Sequence, residues 1–268
     1  MQLENKVIVV IGGTTGLGLS AARAFVREGA RVVVVGRNSE NGARAAEEFG
    51  GNGRAVSGDA ADPATAPRAI AAALEGFSGF HGLYHVAGGS GRRMGDGPLH
   101  EVTDSGIEAT LSLNLNSLIL SNRAAVRQFL KQESGGSILN MGSVLGNSPS
   151  REFFATHVYA AAKSAAEGFT KSCAGYYAQN DIRFNLLAPG LVDTPMAKRA
   201  VGDDRIQQFA ATKQPLDGGR IGRPEDLDAA AVFFLSDGAK FCTGQTLFVD
   251  GGWQVSDGQI PGGGVDSE

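Results

Sequence analysis

Short runs of β-branched residues alternate with longer amphipathic segments rich in alanine along most of the chain. This alternation is typical of βαβ units, in which each helix carries the chain back to the start of the next parallel strand. Strands inside such a sheet are apolar on both faces, and the four consecutive valines at 32–35 have this property. The pattern therefore predicts an α/β fold, with a doubly wound, seven-stranded and mainly parallel sheet flanked by helices in a single domain.

The element boundaries follow from the apolar runs and from the glycines and prolines that interrupt them. The predicted strands cover residues 6–11, 31–35, 54–57, 83–86, 137–141, 183–188 and 247–249. The predicted helices cover residues 17–28, 40–49, 64–74, 107–131 and 158–179. No internal repeat or linker divides the chain, so we assign residues 1–256 to one domain, with a polar, helix-prone lid at about 191–223. Residues 257–268 form a glycine-rich C-terminal tail.

Composition narrows the class of protein. The chain has 268 residues, of which 42% are hydrophobic, so it can bury a substantial core. A net charge of −4 without an extended Lys/Arg run argues against nucleic acid or an anionic membrane as a partner. The two cysteines have no metal-binding spacing, and no signal peptide or membrane-spanning run is visible. We therefore expect a cytoplasmic protein with no metal site.

A glycine-rich loop follows the first predicted strand and precedes a helix. Its sequence is Gly12-Gly13-Thr14-Thr15-Gly16-Leu17-Gly18. Glycines let the backbone turn sharply and approach a pyrophosphate, and the helix N-terminus adds N–H donors and a favourable dipole. The spacing is GxxxGxG, whereas many dinucleotide enzymes have GxGxxG. A plain strand–helix turn is the alternative, but the position between strand and helix favours a nucleotide site.

A second nucleotide signal, Gly36-Arg37-Asn38, follows the second predicted strand. Many folds of this kind place an acidic residue here to bind the adenosine ribose, and Gly36 has no side chain for that. Arg37 could instead meet a 2′-phosphate by a charge-assisted, forked contact, which favours NADP over NAD. A solvated surface arginine is the alternative. Asp59 could accept a hydrogen bond from an adenine amino group, or it could be a turn residue ahead of Pro63.

The segment Tyr159-Ala-Ala-Ala-Lys163 is the clearest catalytic signal. Residues four apart on a helix share one face, so the phenol and the ammonium are expected to lie close together. A free phenol titrates at about pH 10, and a nearby cation favours the phenolate, so we expect Lys163 to lower the pKa of Tyr159. Ser143 could hold a carbonyl or alcohol oxygen beside the phenol. With the glycine loop, this set predicts redox chemistry on a C–OH/C=O group.

Taken as a set, these residues resemble the short-chain dehydrogenase/reductase family over almost the whole chain. The matching motifs are Gly12-xxx-Gly16-x-Gly18, Asp59, Ala87-Gly88, Asn114, Ser143, Tyr159-xxx-Lys163, Pro189-Gly190 and Asp250-Gly251-Gly252. A YxxxK pair alone occurs in many proteins by chance, but the ordered set is specific. The resemblance implies a Rossmann-like fold and an NAD(P)-dependent oxidoreductase, NADP favoured, that interconverts a ketone or aldehyde and an alcohol by hydride transfer.

The resemblance also implies residue roles. Tyr159 would be the acid/base, and Lys163 would lower its pKa and hold the nicotinamide ribose. Ser143 would position the substrate oxygen, and Asn114 would support a proton relay through water. The implied cofactor-binding residues are Gly12, Thr14, Thr15, Gly16, Leu17, Gly18, Arg37, Asn38, Asp59, Ala60, Val86, Ala87, Gly88, Tyr159, Lys163, Pro189, Gly190, Val192 and Thr194.

The chain departs from the family pattern in three places. Ile11 stands where the family commonly has threonine. The run His-Val-Ala-Gly at 85–88 replaces Asn-Asn-Ala-Gly and loses side-chain amides that tie neighbouring strands together. The gap between Ser143 and Tyr159 is a few residues longer than usual, and we place the extra residues at 147–157, beside the substrate pocket.

The sequence leaves two roles for several residues and does not identify the substrate. His157 could line the pocket or cap a helix, and Phe153-Phe154 could be a pocket wall or core. Arg92 and Arg93 could recruit an acidic substrate or be solvated. We expect a small carbonyl or hydroxyl compound, an acyl-carrier-protein substrate among the options, and a homotetramer or dimer. A catalytically silent dinucleotide sensor or scaffold is the alternative function, and an epimerase or dehydratase fits the chain length less well.

Overall fold

The structure, a computed structural model, describes residues 1–261 of the 268-residue chain. Most of the predicted tail therefore lies outside the described residues, which end shortly after the tail begins. The described start of the tail contacts the predicted lid segment, where the Gln259 N–H donates to Thr212 Oγ1 at 2.6 Å. Just before the tail, the Ser256 carbonyl oxygen accepts a hydrogen bond from the Lys213 ammonium.

All seven predicted strands form within two residues of their expected bounds. They are β1 (Val7–Ile11), β2 (Arg31–Gly36), β3 (Gly53–Ser57), β4 (Gly82–His85), β5 (Gly136–Met141), β6 (Ile182–Pro189) and β7 (Thr246–Val249). They make one sheet in the order β3-β2-β1-β4-β5-β6-β7, and every neighbouring pair is parallel. The predicted fold class is confirmed.

Helices cover both faces of this sheet. In residues 1–261 they are α1 (Gly16–Arg27), α2 (Ser39–Phe49), α3 (Thr65–Phe77), α4 (Asp104–Leu111), α5 (Ser117–Gln132), α6 (His157–Tyr177), α7 (Lys198–Val201), α8 (Asp204–Lys213), α9 (Leu216–Gly219) and α10 (Asp228–Leu235). None of them is long and apolar enough to cross a bilayer. The predicted lid contains α7, α8 and α9.

The consecutive valines of β2 serve two separate cores. Val32 and Val34 belong to the core between the sheet and the layer of α1 and α10, whereas Val33 and Val35 belong to the core under α3 and α5. All four side chains are buried. Because successive side chains of a strand point to opposite faces, a strand with a helix layer on each side needs an apolar residue at every position.

The sheet reverses its direction of growth between β1 and β4. From β1 the chain builds outward through β2 and β3, and it then crosses back to place β4 on the other side of β1. Connections leave the carboxyl ends of these two strands in opposite directions, which opens a crevice there. This reversal between β1 and β4 is the switch point of the sheet, and a ligand can approach the glycine loop through the crevice there.

The helices differ from the prediction in two places. The single helix expected at 107–131 is divided into α4 and α5 by a wider π-helical turn, Ser112–Asn116. The helix α10 was not predicted, because its sequence, Asp-Ala-Ala-Ala-Val-Phe-Phe-Leu, is almost uniformly apolar and lacks the polar face that reveals an amphipathic helix.

A buried carboxylate at the start of α10 gives the fold a pH dependence. The Asp228 Oδ2 accepts hydrogen bonds from Ser20 at 3.0 Å and Arg27 at 3.5 Å, and Oδ1 has no partner among residues 1–261. Burial raises the pKa of this carboxyl to about 6. The folded protein thus holds this proton more tightly than the unfolded chain, so the associated stability is present below about pH 4 and is lost as the pH rises through about 6.

We expect Asp228→Asn to stabilise the protein at pH 7.5 by about 1–2 kcal/mol, because the variant buries no charge, and to gain less at pH 4.5. Urea unfolding at both pH values measures the difference. Asp237→Asn is the control: the pKa of Asp237 is lowered by its hydrogen bond with Lys6, so its removal is not expected to stabilise. Equal gains for Asp228→Asn at both pH values would contradict the assignment.

Candidate functional site

The glycine loop between β1 and α1 is held against the ends of two neighbouring strands. The N–H groups of Gly12 and Gly13 both donate to the Val35 carbonyl oxygen, at 2.9 and 3.0 Å. Gly12 has a φ of 88°, and a Cβ there would lie 2.7 Å from the Ala87 nitrogen. A Cβ at Gly18 would lie 2.1 Å from the Gly12 carbonyl oxygen. The turn can therefore close only with glycines, and it leaves the N-terminus of α1 facing the crevice.

A cleft opens over this loop. It brings together most of the residues predicted to bind the cofactor: Gly12, Thr14, Thr15, Gly16, Leu17, Arg37, Asn38, Asp59, Ala60, Val86, Ala87, Gly88 and Thr194. A second cavity shares part of this lining, including Leu17, Gly88 and Thr194. It contains the remaining predicted residues Tyr159, Pro189, Gly190 and Val192, whereas Gly18 and Lys163 line neither space.

The far end of the cleft has a distinctive shape at the end of β2. A Cβ at Gly36 would lie 2.1 Å from Thr14 Oγ1, so this position has no room for a carboxylate side chain. Arg37 is exposed and lines the cleft beside it. The Asn38 side chain is already engaged, since its oxygen accepts the Asn41 N–H at 2.8 Å and caps α2. The glycine cradle, the open helix end and the exposed guanidinium of Arg37 fit a dinucleotide.

Tyr159 and Lys163 lie on the buried face of α6, which begins only two residues before Tyr159. The Lys163 Nζ is 5.6 Å from the centroid of the Tyr159 ring and donates to the Met141 carbonyl oxygen at 2.9 Å. The predicted lowering of the tyrosine pKa is wrong for this structure: burial raises the pKa of Tyr159, and a hydrogen bond with Ser143 opposes the rise. Burial lowers the pKa of Lys163 to about 8.

Ser143 lies at the end of β5, where the chain turns away from the sheet. Its side-chain oxygen accepts the Leu145 N–H at 3.2 Å and so caps a short 3₁₀ turn, Val144–Gly146. Ser143 and Tyr159 both line the second cavity. Two hydroxyl groups therefore face one space that is continuous with the cleft.

Asn114 lies in the π-helical turn between α4 and α5. Its side-chain oxygen accepts the Gly89 N–H at 3.0 Å, and its amide donates to the Gly89 and Thr110 carbonyl oxygens at 2.9 Å each. A Cβ at Gly88 would lie 2.8 Å from Asn114 Oδ1 and 3.4 Å from Lys163 Nζ. The loop after β4, Asn114 and Lys163 thus meet at one point. Such π-turns in α-helices are frequent at functional sites.

The side-chain amides of the family's Asn-Asn-Ala-Gly run are absent at 85–88 in this chain. Other buried polar contacts join the neighbouring elements instead. His85 contacts Ser121 Oγ at 2.8 Å through Nδ1 and Ser117 Oγ at 3.4 Å through Nε2. Burial, with a contribution from the Lys163 charge, lowers the pKa of His85 to about 3, so the ring is neutral. Asn122 and Asn140 exchange two amide hydrogen bonds at 2.9 and 3.0 Å, which join α5 to β5.

Sequence reasoning missed Asp96, which fixes the start of the helix that carries Tyr159. Asp96 is buried, and its two carboxylate oxygens accept the N–H groups of Val158 at 3.1 Å and Tyr159 at 2.9 Å. An acidic side chain at a helix N-terminus satisfies free N–H donors and interacts favourably with the helix dipole. It could not be found from spacing, because 62 residues separate Asp96 from Val158.

The second cavity has an aromatic wall. Phe154 lines it and packs against Trp253 at 5.7 Å between ring centroids, whereas Phe153 packs on Phe209 at 5.2 Å in the lid core. Phe154 is therefore part of the pocket wall, and Phe153 is part of the core. His157 is an exposed residue at the start of α6 and does not line the cavity.

Two positively charged residues from the loop after β4, Arg92 and Arg93, line the second cavity together with Lys198 and Arg199 of the lid. Within residues 1–261, no group of three or more His, Cys, Asp or Glu side chains could hold a metal ion.

The chain is similar in sequence and structure to known dehydrogenases and reductases. The family described as enoyl-(acyl carrier protein) reductase matches residues 12–254. The 3β-hydroxysteroid dehydrogenase 1 of Eggerthella lenta is 35% identical over 261 residues, covering 96% of this chain and 97% of that protein. The L-rhamnose 1-dehydrogenase (NAD(P)(+)) of Azotobacter vinelandii is 34% identical, covering 96% and 99%. A solved short-chain type dehydrogenase/reductase from Mycobacterium ulcerans is 30% identical, with a TM-score of 0.87 and coverage of 96% and 92%.

Proposed function

We propose that this chain, which belongs to the short-chain dehydrogenase/reductase family, uses NADP(H) and employs Tyr159 as its acid and base. Family membership makes it an NAD(P)-dependent oxidoreductase that acts on alcohol and ketone groups. The cofactor preference and the residue roles are our proposal. The observation that carries it is that the Tyr159 and Ser143 hydroxyls share one cavity, which is continuous with the glycine cleft.

When bound, NADP(H) supplies or takes up the hydride, so the protein has one proton to manage. In the reductive direction, Tyr159 donates its proton to the oxygen of the substrate, and Ser143 donates a hydrogen bond to the same oxygen. The raised pKa of Tyr159 keeps the phenol protonated at neutral pH, as a proton donor requires. In the oxidative direction the phenol must first lose its proton, so we expect oxidation to accelerate as the pH rises.

Lys163 has two tasks in this proposal. With a pKa of about 8 it is still mainly protonated at pH 7, so it can donate hydrogen bonds to the hydroxyls of the nicotinamide ribose. Its bond to the Met141 carbonyl oxygen holds the ammonium beside the Tyr159 ring. Asn114 fixes the loop after β4 next to that ammonium and is proposed to support proton relay through water.

The end of β2 supports NADP over NAD. A ribose-binding carboxylate cannot stand at position 36, because Thr14 occupies the space that its Cβ would need. Arg37 lines the cleft next to it and, among residues 1–261, has no carboxylate within 4.0 Å. A guanidinium that lacks an internal partner suits a 2′-phosphate.

We expect Arg37→Ala to raise the dissociation constant of NADPH about 10- to 100-fold, because hydrogen bonds to charged groups contribute about 1.5–3 kcal/mol. The dissociation constant of NADH should change less than about twofold. Fluorescence titration of each cofactor measures both values. A panel of ketones and alcohols with the tighter cofactor then tests turnover.

Arg44→Ala is the matched control, since Arg44 is exposed on α2 but lines neither cavity. Its removal should leave both cofactor affinities unchanged. Tighter binding of NADH than NADPH by the unaltered protein would refute the preference for NADP without affecting the proposed reaction.

The comparisons give no support to a catalytically silent sensor or scaffold, since the relatives named above are dehydrogenases. A cytoplasmic location and a tetrameric or dimeric assembly remain our predictions. A molar mass from light scattering tests the assembly.

A further inference from the structure

The charges around the second cavity are all of one sign. Its lining contains five basic residues, Arg37, Arg92, Arg93, Lys198 and Arg199, and no Asp or Glu. The chain as a whole has 28 acidic and 24 basic residues. A lining with only basic charged residues therefore does not follow from the overall composition of the chain, which is slightly acidic.

Arg92 and Arg199 reach this cavity from two different elements. Arg92 belongs to the loop after β4, and Arg199 belongs to α7 in the lid. Burial lowers the pKa of Arg92, and repulsion by Arg199 lowers it further, whereas Asp96 acts in the opposite sense. Both side chains are exposed, so solvent weakens the repulsion between the two like charges, and an anion in the cavity that they both line would relieve it.

The protein itself does not supply that anion within the described residues. Across residues 1–261, no carboxylate lies within 4.0 Å of either guanidinium. Asp96, which acts on Arg92, already accepts two backbone N–H groups at the start of α6. Arg199 donates one hydrogen bond, to the Phe153 carbonyl oxygen at 3.1 Å. Each guanidinium has five N–H donors, so most remain available.

The cofactor does not account for this pair. The cleft over the glycine loop, where the pyrophosphate and the adenosine belong, includes Arg37 but neither Arg92 nor Arg199. The pair instead lines the cavity that contains the Tyr159 and Ser143 hydroxyls. Met94, Leu145 and Trp253 line the same cavity and provide apolar surface.

We propose that the substrate carries a carboxylate or phosphate group, which Arg92 and Arg199 bind together while the reacting carbonyl or hydroxyl lies at Tyr159. The substrate class is thus an anionic oxo or hydroxy compound with an apolar segment between its two polar ends. The inference rests on the proposed function only for the position of the reacting carbon. The binding of the anion can be tested without turnover.

Trp253 provides the binding signal, because it is the only tryptophan of the chain and lines the cavity. Its fluorescence is followed during titration with pairs of probes that differ only in charge. One arm compares straight-chain oxo-carboxylates of increasing length with their methyl esters. The other compares 4-oxopentyl phosphate with 5-hydroxypentan-2-one, its neutral counterpart. In each arm, the dissociation constant of the neutral probe is divided by that of its anionic counterpart. The arm with the larger ratio identifies which anion the site prefers.

We expect at least one anionic probe to bind about tenfold or more tightly than its neutral counterpart. Arg92→Gln and Arg199→Gln should each weaken that probe by about 10- to 100-fold and leave the neutral counterpart within about twofold. The control is Arg123→Gln, an exposed arginine of α5 that lines neither cavity. It should leave every dissociation constant unchanged.

Turnover with NADPH separates failure of this inference from failure of the proposed function. If neutral ketones are reduced while no anionic probe binds better than its neutral counterpart, the anion site is refuted and the reaction stands. If an anionic probe binds through both arginines but no carbonyl or alcohol compound reacts, the anion site stands and the proposed reaction fails. Glutamine variants that keep the full preference for the anion would also overturn the inference.

Discussion

Replacing Tyr159 with phenylalanine is expected to reduce turnover at least about a thousandfold and to leave cofactor affinity within about twofold of its original value. Proton transfer by a positioned side chain contributes about 10²- to 10⁴-fold to a rate, and phenylalanine keeps the ring but has no proton to give. The ring of Tyr159 is buried against the neighbouring elements, so the fold should tolerate the change. Initial rates in both directions and an NADPH fluorescence titration measure the two effects.

Tyr176→Phe is the matched control. It is the same chemical change on the same helix, but the Tyr176 side chain is 68% exposed and lines neither cavity. Its turnover should stay within about twofold. If Tyr159→Phe retained most of its activity, the phenol would not be the acid and base.

The pH dependence of the two reaction rates is a second test of the role of Tyr159. Since burial raises the pKa of Tyr159, the protonated phenol predominates at neutral pH, and the oxidative rate should increase with pH under saturating cofactor. The reductive rate should not require a higher pH. In Tyr159→Phe the residual oxidative rate should lose this rise. An oxidative rate that is independent of pH in the unaltered enzyme would argue against a phenolate base.

Replacing Gly18 with alanine is expected to weaken NADPH binding about 5- to 150-fold and to destabilise the fold. The added Cβ would lie 2.1 Å from the Gly12 carbonyl oxygen and 3.0 Å from the Gly13 Cα, both parts of the backbone that cannot rotate away. The start of α1 must then move from the loop, and overpacking of this kind costs about 1–3 kcal/mol. A displaced helix N-terminus would no longer direct its N–H groups at the pyrophosphate.

Gly51→Ala is the control, because nothing lies within 4 Å of a Cβ at that position, which is in the turn between α2 and β3. Its affinity and melting temperature should be almost unchanged. Circular dichroism on both variants shows whether Gly18→Ala remains folded, and its affinity is compared with that of the unaltered protein at a temperature where it does. Unchanged NADPH affinity in folded Gly18→Ala would show that the loop does not contact the cofactor.

The fold was largely predictable because its signals are local or periodic. Short continuous apolar runs located the seven strands, and the glycines at 12, 16 and 18 located the turn that approaches the switch point. The divided helix at Ser112–Asn116 was not predictable in the same way. Its wider turn accompanies two hydrogen bonds that Asn114 and Gly89 exchange, although Gly89 is distant in the sequence.

Sequence alone determined the family and the fold, and it nominated the residues of the site, because motif spacing and hydrophobic period are properties of neighbouring positions. Only the tertiary structure decided the direction of the Tyr159 pKa shift, the capping of α6 by Asp96 and the approach of Arg92 to Arg199. Burial and Coulomb interactions depend on which distant segments exclude water and bring charges together. A YxxxK spacing places an ammonium near a phenol, but it carries no information about how much solvent surrounds either group.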